Sequence, residues 1–220
     1  MSFVIPILSA IVATLIVIES KDLLKVSLIL FVLHTLFKYF NVEGFAQVYH
    51  HGFTWAHLLE DWSWRYLPFV LTSYLFLFPI ALLTWRSRHE IFWGTKSSIL
   101  LGILLATAST FCFGFLIRNR LSTNVLTYLL TAITWSSLGG FVEEPLYRGT
   151  LTKGLSQRFN WWLAWLIQAA CFGISHIWSV GAILSALIFG LILGVIAKYL
   201  GLWSSIAMHS IANLVAHNLI

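Results

Sequence analysis

Residues 141–149, from Phe141 to Gly149, read FVEEPLYRG. Two adjacent carboxylates, Glu143 and Glu144, close an apolar run there, and Arg148 follows four residues after the second. The other six acidic residues (Glu19, Asp22, Glu43, Glu60, Asp61 and Glu90) lie in or beside polar connections where solvation is easy. Ionisable groups at or near membrane depth are costly unless they pair or line a wet cavity, so the Glu pair reads as a functional site. Pro145 removes a backbone donor and favours a kink or a new helix start. Ser136, Ser137, Gly139 and Gly140 before it permit close backbone approach, and a break here would open a carboxylate to a cavity.

The composition around this stretch sets the fold class. Of 220 residues, 59% are hydrophobic and 10% charged, with a mean hydropathy of +0.87. Soluble domains carry roughly 25% charged residues. The chain therefore reads as an all-α, polytopic membrane helical bundle. Trp62, Trp64, Trp85, Trp93, Trp161 and Trp162 fall where apolar and polar runs meet, as an aromatic belt would place them. The formal charge of +5 is then a matter of membrane orientation. A lipid bilayer is the expected environment and nucleic acid is not an expected partner. Cys112 and Cys171 sit inside apolar runs with neither a disulfide framework nor metal-finger spacing, and read as core residues. MSFVIPILSA has no basic stretch before its apolar residues, so it reads as a retained first helix.

A span needs about 20 mainly apolar residues, which gives about eight transmembrane helices: 3–18, 22–39, 66–85, 97–116, 124–144, 161–177, 180–199 and 202–219. In the longest connection, 40–65, Trp55, Leu58, Leu59 and Trp62 repeat at helical spacing, with His57, Glu60 and Asp61 turned away; this predicts a short interfacial helix. His50 and His51 before it read as solvated residues. With the N-terminus outside, the inner loops hold Lys21, Lys25, Arg86, Arg88, Lys96, Arg148, Lys153, Arg158 and Lys198, and the outer ones Lys38, Arg65, Arg118 and Arg120. That excess favours this orientation and puts FVEEPLYRG toward the cytoplasmic side. No repeat or linker divides the bundle.

Other polar residues inside apolar runs follow the Glu pair. On a continuous helix Glu144 and Arg148 share a face and can pair. His176 lies in CFGISHIW, beside Gly173 and Ser175; His34, in the second run, lacks such a setting and reads as a core histidine. His209 and Asn213 share a face of the last helix and can donate two hydrogen bonds to one point, as an oxyanion requires. His217 and Asn218 read as weaker, interfacial candidates. A partly desolvated carboxylate can act as general base on water, with a histidine sharing the proton. No serine or cysteine is convincingly placed as a nucleophile, and HExxH is absent. No cofactor is expected, although Glu and His leave a divalent metal such as zinc conceivable.

Glu143 to Arg148, E-E-P-L-Y-R, resembles the EExxxR motif of the CAAX prenyl endopeptidase and bacteriocin-processing (CPBP, or Abi) family of intramembrane proteases. Phe172 with His176 is similar to its FxxxH motif and His209 with Asn213 to its HxxxN motif, in the same order. The resemblance covers residues 124–220, a CPBP-like catalytic core, after variable N-terminal helices over 1–123. It implies a cavity toward the cytoplasm in which Glu143 and His176 activate water, His209 and Asn213 form the oxyanion hole, and Glu144 and Arg148 hold the first glutamate's orientation and charge. One tension stands: if 124–144 and 161–177 cross as drawn, Glu143 and His176 sit at opposite ends. The expected resolution is that the helix bearing Glu143 continues past Pro145, with the site about a third of the way into the bilayer.

An intramembrane endopeptidase accounts for all six polar residues with one mechanism. Its substrate would be a membrane peptide or protein, cut in a C-terminal tail, a CAAX-like end or a leader. A proton-relay transporter should show repeat symmetry, which is not seen. A non-catalytic binding or immunity protein using the same pocket is the stronger rival. A multi-pass protein of a prokaryotic plasma membrane is the expected setting.

Overall fold

A computed structural model of the chain describes residues 4–40, 66–98, 100, 101, 104, 139–177 and 179–218. The interfacial helix expected over 55–62, His50, His51, Cys112, Ser136, Ser137, most of the span at 97–116 and the start of that at 124–144 lie outside them, as do the side chains of His217 and Asn218.

The described residues are helical, with no strand among them. In order they form α1 (Val4–Glu19), α2 (Leu23–Phe40), α3 (Tyr66–Arg86), two wide helical turns π1 (Gly139–Glu143) and π2 (Pro145–Leu151), α4 (Thr152–Ser156), α5 (Trp161–Ile174), α6 (Val180–Leu200) and α7 (Leu202–Asn218). Boundaries follow local chemistry. The Asn160 side chain accepts from the Leu163 amide at 2.9 Å and starts α5, and Ser179 does the same for α6 through the Ala182 amide at 3.0 Å; both supply a partner to a helix-start donor that would otherwise have none. Gly201, at φ 92°, ends α6, a conformation that glycine adopts without steric penalty. Its backbone lies against Gly94, so neither position has room for a side chain.

The helical run continues through Pro145 to Ser156 rather than ending at Glu144. In a regular α-turn the Pro145 ring would crowd the carbonyl of Phe141 and the missing N–H would leave it unpaired. Wide π-type turns on both sides relieve this crowding, and such turns recur at functional sites. The Thr152 amide and hydroxyl both reach back to the Tyr147 carbonyl, five residues earlier.

This run is the hub of the bundle. α2, α3, α5, α6 and α7 all pack on π2, and α3 and α7 also pack on π1. The core joins Val17 of α1, Leu30 of α2, Phe76 and Ile80 of α3, Leu146, Tyr147 and Leu151 of π2, and Phe172 of α5. Cys171 packs against it, half-buried. The outer faces are also apolar. Leu8, Ile11, Leu15 and Ile18 face outward on α1, and Val180, Leu184, Ile188 and Ile192 on α6. Among the described residues α6 is the one helix long and apolar enough to cross a membrane.

One end of the bundle gathers the charges. Arg86 donates to the Ser20 carbonyl at 3.1 Å, Arg158 pairs with Asp22 at 3.2 Å, and Gln157 donates to Glu90 at 2.7 Å. Lys38, by contrast, is 4% exposed. It is an interior residue and not the loop charge that the sequence suggests.

Candidate functional site

Glu144 is fully buried and has both oxygens engaged. Arg148 donates from Nη1 to Oε1 at 2.8 Å, His209 Nδ1 lies 2.6 Å from the same oxygen, and the Ser205 hydroxyl donates to Oε2. With both oxygens engaged, this carboxylate holds an imidazole and a guanidinium in place. With Nδ1–H donated to Glu144, His209 turns Nε2 toward Glu143, 3.7 Å from Oε2.

Glu143 differs. Lys38 donates to its Oε1, while Oε2 faces the His209 ring. Lys38, His176, His209 and His34 all lie close enough to act on its charge. His176 sits just beyond the end of α5, half-buried. Its Nδ1 lies 2.8 Å from the Phe172 carbonyl, an acceptor, so that nitrogen carries the proton and Nε2 the lone pair. The helix that continues past Pro145 carries Glu143, and His176 lies close enough to act on its charge.

Phe172 is the wedge between these groups. Its ring centroid is 4.7 Å from that of His176, 5.7 Å from that of His209 and 5.2 Å from that of Tyr147, with Arg148 Cζ 4.0 Å above it. A guanidinium on an aromatic face is an attractive arrangement. Asn213, one turn beyond His209 on α7, lies beside Gly139, where a Cβ would meet both its Nδ2 and His209 Nε2. The missing side chain at Gly139 lets both donors converge on the helix face that bears Glu143.

The structure thus brings Glu143, Glu144, Arg148 and His209 into one contact network, with His176 and Asn213 at its edge. Two members escape the sequence reading. Lys38 comes from α2, where a lysine near the end of an apolar run looks topological; its signal is the four-residue spacing to His34, which puts both on one helix face. Ser205, one turn before His209, looks like an ordinary helix serine. His34 is a core histidine, with Nδ1 3.4 Å from the Tyr147 hydroxyl.

A metal fits these residues poorly. Lys38 and Arg148 already hold the carboxylates, and among the described residues no three His, Cys, Asp or Glu side chains are grouped to ligate an ion. No chemical step is therefore routed through one.

Fold and site define a protein that is all-helical over the described residues, with a buried acid–base cluster at its centre. Residues 124–215 match the family model described as Type II CAAX prenyl endopeptidase Rce1-like. The match agrees with the family resemblance that three short motifs carry. The match supports peptidase activity; it covers less than half of the chain and leaves out α1 to α3. No curated protein and no solved structure matches the chain.

Proposed function

We propose that the protein is an intramembrane endopeptidase that hydrolyses a peptide bond with a water activated by Glu143 and His176. The observation that carries this reading is the asymmetry of the two glutamates. Glu144 has both oxygens engaged, whereas Glu143 keeps an oxygen turned toward the His209 imidazole.

In the reaction, a water between Glu143 and His176 gives its proton to the carboxylate as it attacks the carbonyl carbon. The carbonyl electrons move onto oxygen, and the oxyanion is met by Asn213 Nδ2–H and by His209 Nε2–H when both ring nitrogens carry protons. Collapse breaks the C–N bond, and the protonated Glu143 returns its proton to the leaving amine. Glu144 and Ser205 fix the His209 ring, and Arg148 fixes Glu144.

The bundle is polytopic in this reading. Its support is the apolar outer face of α1 and α6, which no aqueous solvent favours. The basic end, which we place at the cytoplasm, locates the site. Lys38 lies thirteen residues beyond Lys25 on the same helix, about 20 Å at 1.5 Å per residue, so this reading sets the cluster well inside the bilayer. Suitable substrates are membrane-held peptides: an apolar C-terminal tail, a prenylated CAAX end or a leader.

The test is cleavage of a panel of C-terminal-tail and prenylated peptides by purified wild-type and Glu143→Gln protein, with and without a strong chelator. Cleavage by the wild type alone, indifferent to chelator, is the expected result. Chelator inhibition reversed by zinc overturns the mechanism, and equal binding by both proteins without any cleavage replaces the enzyme with a binding protein.

A further inference from the structure

Glu143 receives one of its contacts from outside the segment that carries the motifs. Lys38 of α2 donates to Glu143 Oε1, both residues are buried, and α2 lies wholly before residue 124, where the family match begins. Packing sets this approach. Phe31, His34 and Lys38 share a face of α2. The Phe31 ring meets that of Tyr147 with centroids 6.1 Å apart, and His34 Nδ1 lies 3.4 Å from the Tyr147 hydroxyl. Those two contacts seat α2 on π2. One turn beyond His34, Lys38 then comes level with Glu143, one turn before Tyr147.

A carboxylate turns about its last side-chain bond with a broad, two-fold preference. The two oxygens of Glu143 stand in different settings, however: Oε1 is held by an ammonium, and Oε2 faces His209, 3.7 Å from Nε2. We propose, on the reading of Glu143 as the base, that Lys38 is a positioning residue: by tying down Oε1 it fixes the carboxylate plane and presents the other oxygen, on the His209 side, to the attacking water. As the O–H bond of the water breaks, a bond from hydrogen to Oε2 forms, and Lys38 stays on Oε1. That Oε2–H bond breaks again when the leaving amine takes the proton, and Lys38 itself gains and loses none. Without the ammonium the carboxylate is left to turn, and a base out of line lowers the rate more than it weakens substrate binding.

Kinetics on the full-length protein in detergent, with kcat expressed per folded molecule, separate positioning from a purely structural ion pair. Lys38→Met should lose about tenfold in kcat at nearly constant KM, and Lys38→Arg, which returns a charged donor, should recover most of that loss. A second readout needs no cleavage. The infrared difference between a protein and its Glu143→Gln counterpart isolates the carboxylate stretches of Glu143, whose splitting reports how unequally the two oxygens are held. Those bands should shift in Lys38→Met and return toward their wild-type positions in Lys38→Arg. Wild-type kcat in Lys38→Met, a Lys38→Arg protein no better than Lys38→Met, or unmoved bands overturns the proposal while leaving Glu143 as the base. Cleavage that survives Glu143→Gln is a different failure: it removes the base itself, and the role of Lys38 falls with it.

Discussion

α2 and the C-terminal helices reach the same cluster by opposite routes. The C-terminal half carries its chemistry in short motifs: Glu143, Glu144 and Arg148 on the central run, His176 after α5, and His209 with Asn213 on α7. α2 carries no motif, yet its Lys38 holds the very carboxylate that we propose as the base. The two ion pairs differ in setting. Arg148 and Glu144 have no exposed side-chain surface, whereas those of Lys38 and Glu143 are 6% and 11% exposed. The lesson is electrostatic. An apolar interior holds two adjacent carboxylates only with two cations, and a single helix supplied just one of them.

The largest expected effect falls on the motif half. Glu143→Gln removes the proposed base and should lower peptide cleavage by about 10²- to 10⁴-fold, read as kcat/KM on the peptide that the wild type cuts best. Residual cleavage within a few-fold of wild type would move the base to another group. Next in size is Arg148→Met. It leaves Glu144 with Ser205 and His209 but no permanent cation, and a buried pair broken on one side costs about 3–5 kcal/mol. Denaturant unfolding in a membrane-mimetic micelle measures this. The double variant Arg148→Met with Glu144→Gln should recover most of the loss, because no buried charge then stands alone; a double variant as unstable as the single would assign the cost to packing on Phe172.

Lys38→Met carries the comparison to α2. Its pair retains a little exposure, so the loss should be smaller, about 2 kcal/mol, the size of a hydrogen bond to a charged group. Cleavage should also fall, by about tenfold, if α2 takes part in the site. In the double variant Lys38→Met with Glu143→Gln, stability should return toward wild type while cleavage stays lost. This coupling is what a double-mutant cycle isolates, and additive losses would mean that the two residues touch without depending on one another.

Much of this was legible in the sequence for physical reasons. Helices Val4–Glu19, Leu23–Phe40, Tyr66–Arg86 and Val180–Leu200 follow the apolar runs closely, because run length and caps such as Ser179 and Gly201 mark where a backbone can leave the helix. The continuation through Pro145 conflicts with proline's local preference, and only the expected meeting of Glu143 with His176 argued for it. Carboxylates and imidazoles inside apolar runs stand out because desolvation makes them rare. Serine does not: Ser205 can satisfy its hydroxyl on its own helix, so nothing in the sequence marks it as a partner of Glu144. Lys38 was legible as a residue but misplaced, since a lysine near the end of a run usually snorkels to the interface.

The smallest expected effect is the sharpest probe of geometry. Gly139 and Gly140 are neighbours on the same wide turn, and both press on α7, but on different atoms. A methyl at Gly139 would meet Asn213 Nδ2 and come within 3.0 Å of His209 Nε2, the two proposed oxyanion donors; one at Gly140 would meet Ser210 Oγ and the Ile206 carbonyl, the latter at 3.0 Å. Both alanines gain roughly 1 kcal/mol of helix propensity over glycine, which offsets part of the crowding. Gly139→Ala should therefore stay folded and lose about tenfold in kcat with little change in KM, because an Asn213 amide pushed aside by about 1 Å or more stabilises the transition state less while substrate binding is kept. Gly140→Ala, crowding the Ser210 hydroxyl and the Ile206 carbonyl instead of the proposed oxyanion donors, should lower the unfolding midpoint and leave kcat near wild type. If the two variants lose kcat equally, α7 moves as a rigid rod and the pairing of His209 with Asn213 sets no specific donor geometry.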